Sequence, residues 1–258
     1  MSRKSTEMIL GYPVTLSGVE GVVAEVFSWL DSPNKTCRYF VCANPHSLEV
    51  ARVDPLFHQA ILASDLILPD GIGISLASKL LGGQIRGRIT GSNLFYQLSA
   101  ALNQREGGGS CFFLGSTPEV LGRLTQLMAR DYPNITVAGV YSPPFRTEFS
   151  AEENQKMVDV VNQAKPDLLW VGMTAPKQEK WIYHNRHQLQ VSLAGPIGAV
   201  LNFYSGDRER ASPFFRRIGL EWLPRFLKEP RRLWRRNLVS NPAFVLRVLA
   251  ERVKRVKG

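Results

Sequence analysis

The feature that most constrains this chain is an alternation. Short, solidly apolar runs recur along most of its length, each separated from the next by a longer stretch with helical periodicity. Residues 39–42, 66–68, 111–114, 136–141, 168–171 and 191–194 are too short for buried helices and lack the in–out pattern of a half-exposed strand, so they read as strands buried on both faces. Residues 53–64, 72–81, 94–103, 118–131, 151–164 and 177–188 read as helices. Strands alternating with helices predict an α/β fold, a Rossmann-like and mainly parallel sheet with helices on both faces. Residues 8–16 and a helix near 19–30 are expected to join the same layers. The segment 104–110, with three consecutive glycines, is the best internal break. It divides a Rossmann-like domain of residues 1–206 into possible halves, 1–106 and 107–206.

After Gly206 the character changes. Pro213, Pro224, Pro230 and Pro242 punctuate short helical stretches rich in Trp, Leu, Phe and Arg, so residues 207–258 form a basic helical appendage. Charge sharpens this boundary. The formal net charge is +10, yet residues 1–215 carry 19 basic and 19 acidic side chains. Residues 216–258, with 13 basic and 3 acidic, account for the whole excess. A neutral body with a basic tail implies a polyanionic partner for the tail: nucleic acid, anionic lipid headgroups or a diphosphate-bearing substrate. Lys228, Arg231, Arg232, Arg235 and Arg236 interleave with Trp222, Leu223, Phe226, Leu233 and Trp234, as in helices that lie in a membrane interface. The same residues also suit a helical subdomain packed through its aromatics, with a solvated basic face. No run reaches the length of a membrane-spanning helix, and no apolar segment follows Arg3 and Lys4 as a secretory signal requires. Cys37, Cys42 and Cys111 are odd in number and lack metal-ligand spacing, so they read as reduced thiols in a reducing compartment.

Ligands of open α/β sheets bind beyond the carboxyl ends of the strands, and three such ends carry polar groups here. The first is Cys42-Ala43-Asn44-Pro45-His46, where Asn44 is either a ligand contact or a helix N-cap ahead of Pro45; spacing alone favours the cap. The second is Pro69-Asp70-Gly71-Ile72-Gly73. A carboxylate at Asp70 can take a proton from an attacking hydroxyl, although an N-cap aspartate is the more common occupant of such a place. The third is the stretch Gly172 to Glu179, whose loop and Lys177 can face an anion. Between them, Arg88-Ile89-Thr90-Gly91-Ser92-Asn93 leads into a helix, with Arg88 either a two-pronged diphosphate donor or a surface ion pair. The glycines after Asp70 do not spell a dinucleotide fingerprint, which disfavours a nicotinamide enzyme. No Asp-x-Asp pair, P-loop, nucleophile elbow or zinc pattern is present, so no metal and no cofactor is expected. His184 and His187 share a helix face but have no third ligand.

These motifs together resemble the WecG/TagA/CpsF glycosyltransferases, also called glycosyltransferase family 26. The resemblance runs from about Met8 to Phe244. It rests on Ala43-Asn44-Pro45, Asp65 to Gly73, Arg88-Ile89-Thr90-Gly91-Ser92 and Ala175-Pro176-Lys177-Gln178-Glu179-Lys180-Trp181. It continues in Gly219-Leu220-Glu221-Trp222-Leu223 and Glu229 to Arg236. It implies an inverting, metal-independent transfer of a sugar, often N-acetylmannosamine or its uronic acid, from a UDP-sugar. The acceptor would be an undecaprenyl-diphosphate-linked sugar in cell-surface polysaccharide biosynthesis. By position, Asp70 matches the general base, and Cys42, Asn44, Arg88, Thr90 and Gln178 match substrate-binding positions. Arg225, Arg232 and Arg235 match the appendage residues that meet the lipid diphosphate. Cys42 stands where many members carry Thr, and Asn93 and Asn202 where Asp is frequent. The implied setting is cytoplasmic, at the inner face of the cell membrane, with homo-oligomers permitted. The rival expectation, a nucleic-acid-binding protein using the basic tail, is disfavoured because its arginines alternate with tryptophans and leucines and no nucleic-acid motif is present.

Overall fold

The computed structural model describes residues 5–33, 35–209, 212, 215 and 222–257, except the side chains of Arg225, Lys228, Arg232, Val256 and Lys257. The elements are β1 (Thr6–Ile9), β2 (Tyr12–Thr15), α1 (Val19–Leu30), β3 (Arg38–Ala43), α2 (Pro45–Ala51), α3 (Pro55–Leu62), β4 (Leu66–Pro69) and α4 (Ile72–Leu80). Then come α5 (Gly91–Gln104), β5 (Gly109–Gly115), α6 (Pro118–Asp131), β6 (Ile135–Tyr141), α7 (Ala151–Ala164), β7 (Leu168–Gly172), α8 (Lys177–Asn185), β8 (Leu193–Pro196) and α9 (Val200–Tyr204). The C-terminal part holds α10 (Trp222–Lys228), α11 (Pro230–Trp234), a π-helical turn (Arg235–Ser240) and α12 (Asn241–Lys257).

The α/β fold expected from the alternation is present. A six-stranded sheet runs in the order β4-β3-β8-β7-β5-β6 and is flanked by helices. The β3–β8, β8–β7, β7–β5 and β5–β6 pairings are all parallel. Its central strands are apolar throughout because both faces are covered: Cys111 to Leu114 and Leu168 to Val171 are all buried. Phe95 of α5 lies edge-on to Trp170 at 5.3 Å and to Phe113 at 6.4 Å, joining helix and sheet in one aromatic core.

Three expectations are corrected. Residues 136–141 are not buried on both faces, because β6 is an edge strand and only its first residue, Ile135, is buried. Residues 8–16 do not join the main sheet; β1 and β2 form a separate antiparallel pair. Leu10 and Gly11, both at positive φ, make the two-residue turn that closes it. The strand expected at 191–194 lies at Leu193–Pro196, because the Ser192 N–H is taken by the Asp167 carbonyl before the ladder begins. Other elements begin where caps dictate. Asp54 accepts from the Phe57 N–H, so α3 starts at Pro55.

Chain contacts divide into two compact units, one of Met1–Ser17, Cys42–Thr90 and Glu209–Gly258, the other of Gly18–Val41 and Gly91–Arg208. Within the first, β2 lies against β4, and α12 packs on α2 and α4 through buried Phe244 and Val248. Within the second, the 104–110 segment joins α5 to β5.

Candidate active site

Chemistry in the first unit gathers where strands give way to helices. At the end of β3, Asn44 adopts an extended backbone and caps α2. Its Oδ1 accepts the Ser47 N–H at 3.0 Å, its own N–H donates to Ser47 Oγ at 2.8 Å, and Pro45 fills the first helical position. The other half of the same amide is turned outward, and Nδ2 donates to Asp70 Oδ2 at 3.3 Å. Asn44 is therefore the cap that its spacing favours, through its oxygen, and its nitrogen contacts Asp70.

Asp70 is not a helix cap. Gly71, at φ 81°, takes the N-cap position of α4 without a side-chain bond, so the aspartate carboxylate is released from capping and meets Asn44 instead. Two further contacts bring the surrounding segments in. The Asp70 N–H donates to the Ala43 carbonyl at 2.8 Å, and the Ile89 N–H donates to the Pro69 carbonyl at 2.7 Å. The second draws Arg88 and Thr90, both half-buried, alongside the end of β4. Gly73 permits a close approach: a Cβ there would lie 2.4 Å from Pro45 Cγ, so α4 can begin against α2 only without a side chain. Asn44, Asp70, Arg88 and Thr90 thus converge from three segments of the chain, with half-buried Cys42 on the strand that leads to Asn44.

The C-terminal helices seat directly on α2. His46, two residues past Asn44, shares a 2.9 Å hydrogen bond between Nδ1 and Ser240 Oγ, and Arg247 pairs with Glu49 at 2.9 Å. Burial first, and the Arg236 guanidinium second, hold the His46 pKa below its ordinary value. Nothing in the sequence marked these two pairings, because partners 194 and 198 residues apart leave no local pattern. Arg235 is exposed, its guanidinium 5.7 Å from the Trp234 ring centroid. The side chains expected at Arg225 and Arg232, and motif residues 219–221, lie outside the described residues.

In the second unit, the β7–α8 connection contains a cis Ala175–Pro176 peptide bond and leads into α8. The sequence offered Lys177 to an anion. The structure instead commits its ammonium to the Arg146 carbonyl and to the face of Phe149, 3.5 Å from the ring centroid. Gln178 is buried, and its Oε1 accepts the Gly198 N–H at 3.0 Å while Nε2 donates to Glu179 Oε1 at 2.9 Å. Glu179 is buried as well. Desolvation pushes its carboxyl up to about 7, against the pull of the Gln178 amide and its own backbone N–H. A glutamate in the first turn of a helix ordinarily reads as a solvated partner of the helix dipole, which is why sequence reasoning passed over it. His184 and His187 are exposed, and among the described residues no group of three His, Cys, Asp or Glu side chains is placed to hold a metal.

Residues 7–258 match the family described as the glycosyl transferase WecG/TagA/CpsF family. The chain is 34% identical over 211 residues to an N-acetylglucosaminyldiphosphoundecaprenol N-acetyl-beta-D-mannosaminyltransferase of Bacillus spizizenii, covering 82% of this chain and 78% of that protein. It is 30% identical to the Bacillus subtilis protein of that name, with 81% and 77% covered. Against the Staphylococcus aureus protein of that name, identity is 27% over 242 residues, with 93% and 91% covered.

Proposed function

The chain belongs to the WecG/TagA/CpsF glycosyltransferase family, and from that premise we propose that it moves a sugar from a UDP-sugar to a lipid-diphosphate-linked sugar with inversion. The observation that carries this reading is the Asp70 carboxylate, excluded from helix capping and oriented by the Asn44 amide. In the proposed step, Asp70 accepts the proton of an acceptor hydroxyl as that oxygen attacks the anomeric carbon. The bond from that carbon to the β-phosphate oxygen breaks, and UDP departs with the electron pair. Negative charge grows on the diphosphate, so cations set beforehand lower the barrier. Arg88 beside the end of β4 is one such cation, with Arg225, Arg232 and Arg235 as further candidates. Cys42, Thr90 and Gln178 complete the proposed substrate-binding set.

The relatives' names specify N-acetyl-mannosamine as the transferred sugar and undecaprenyl-diphosphate-linked N-acetylglucosamine as the acceptor. We adopt both as the first substrates to test. A UDP-release assay with UDP-N-acetylmannosamine and a short-chain lipid-diphosphate acceptor tests the reading. No UDP release with this or any other UDP-sugar would sink it.

A lipid-linked acceptor calls for work at a membrane surface, and α12 supports a peripheral attachment. Val245, Leu246, Leu249 and Val253 of α12, and Leu238 and Val239 of the π-helical turn before it, are exposed, as are Arg252, Lys254 and Arg255, whereas Phe244 and Val248 are buried. Apolar groups flanked by cations suit the headgroup boundary, each cation near an anionic surface adding about 1 kcal/mol. Among the described residues no helix is long and apolar enough to cross a membrane. Flotation with anionic vesicles should weaken as salt rises and fail when Leu246 and Leu249 are both changed to Glu. Undiminished binding by that variant removes the attachment from α12.

A further inference from the structure

Among the acids that follow strands in this fold, Asp70 has a role in the reaction proposed above, whereas Glu179, buried in the first turn of α8, has none. Glu179 is 5% exposed, and its Oε2 has no hydrogen-bond partner among the described residues. A carboxyl group that deep in the interior costs stability unless its position serves something else. It touches one side chain that bears on the site, the Gln178 amide, by the 2.9 Å bond from Nε2 to Oε1.

That amide spans two strand ends. Gln178 begins in α8, just beyond β7, and reaches the Gly198 N–H beyond β8. The same N–H also leans on the Val171 carbonyl of β7 at 3.2 Å, as does the Ile197 N–H at 2.9 Å. The turn that ends β8 and opens α9 is thus tied to β7 by backbone bonds and by one side chain. An amide oxygen and an amide nitrogen have nearly the same shape, so packing alone does not choose between the two ways round. Hydrogen bonding does. Gly198 presents a donor and requires the oxygen, which leaves the nitrogen facing Glu179, where only an acceptor fits.

We propose that Glu179 is a positioning residue of the transfer reaction, acting through Gln178 on the turn that ends β8. This rests on the glycosyltransferase reading above, since it assumes that the carboxyl edge of the sheet meets substrate. The protonation state agrees with the geometry. Burial favours the neutral acid, and a proton on the unpartnered Oε2 leaves Oε1 to accept from Gln178. Neither β7 nor β8 contains a titratable residue to offset a charge there. On α8 itself, Lys177 is engaged with the Arg146 carbonyl and Phe149, and neither half-buried Lys180 nor exposed His184 is among the groups that act on the Glu179 carboxyl. A neutral carboxylic acid is the closest match in shape and hydrogen bonding to a primary amide, which makes glutamine the diagnostic replacement.

The test is a double-mutant cycle read in the UDP-release assay. Glu179→Leu and Gln178→Ala should each lower kcat at least about tenfold, and Glu179→Leu should move the donor KM less than about threefold, since misplacement by an ångström is enough for losses of that order. The double variant should be no slower than the slower single variant, because both act along one route. Glu179→Gln should keep at least about a third of the wild-type kcat, which a requirement for a charged carboxylate does not allow. If Glu179→Leu does not fold, Glu179→Asp replaces it; its shorter side chain withdraws the acceptor from Gln178, and the same loss is expected. Wild-type turnover in these variants, or losses that multiply in the double variant, would overturn the positioning role and leave the proposed reaction standing. A wild-type enzyme inactive with every UDP-sugar would instead overturn the reaction, and this role with it.

Discussion

Asp70 and Glu179 are both acids that follow a parallel strand, and the protein treats them in opposite ways. Asp70 is half-exposed and accepts a hydrogen bond from an amide that is itself anchored as a helix cap. Glu179 is sealed in the interior, where it faces an amide that braces two strand ends. The contrast teaches that residue type and strand-end position do not assign a role. Access to solvent suits an acid that must exchange a proton with a substrate, and burial suits one that fixes geometry.

The comparison breaks most visibly at Asp70. Replacing it with Asn keeps size and hydrogen bonding but removes the base, and turnover should fall by roughly 10²–10⁴, about 3–5 kcal/mol of barrier. Near-wild-type UDP release by that variant would dismiss Asp70 as the base.

The next largest effect concerns Glu179 and stability. Its folded pKa of about 7 lies above its ordinary value of 4.5, so the folded protein holds the proton more tightly than the unfolded chain. Below about pH 4.5 the acid is neutral in both states and this group costs nothing. As pH rises from there the unfolded chain ionises first, and stability from this group falls until about pH 7, by on the order of 3 kcal/mol. Denaturant unfolding of Glu179→Gln across that window should lack this part of the decline. Identical pH slopes in the variant and the wild type would show that Glu179 is ionised in the folded protein.

A smaller effect is expected at Gly73. A methyl group there meets Pro45, so Gly73→Ala should destabilise by about 1–3 kcal/mol and also slow turnover, because α2 and α4 flank Asn44 and Asp70. Loss of stability with full activity would separate this packing from the site. The finest division falls on Asn44, whose oxygen caps and whose nitrogen orients. Serine is an equally good N-cap with no reach to Asp70, so Asn44→Ser should unfold within about 0.5 kcal/mol of wild type. Its turnover should still fall about tenfold, the cost of losing one hydrogen bond to a charged group. Equal activity would make Asn44 a cap alone.

How much of this was legible depended on whether the signal was local. Apolar runs too short for helices announced the parallel strands, and helical periodicity announced the helices at 118–131 and 151–164, which begin where Thr117 and Ser150 cap them. That β1 and β2 pair with each other apart from the main sheet was not legible, because pairing partners are not encoded in a strand's own pattern when it is only four residues long. Asn44 and Asp70 could each be suspected from their places after strands, but the bond between them spans 26 residues and was not visible. Glu179 gave no warning, since burial is a property of what packs around a residue.

By itself, then, the chain's order of residues determined the element types, the strand-end positions of the polar motifs and the confinement of the positive charge to the last 43 residues. These follow from periodicity, capping and composition, which act over a few positions. Tertiary structure alone decided which of the two acids is open and which is enclosed, that Gly71 relieves Asp70 of capping, and that α12 seats on the helix Asn44 begins. Each of those depends on contacts between distant segments, and such contacts exist only once the chain has folded.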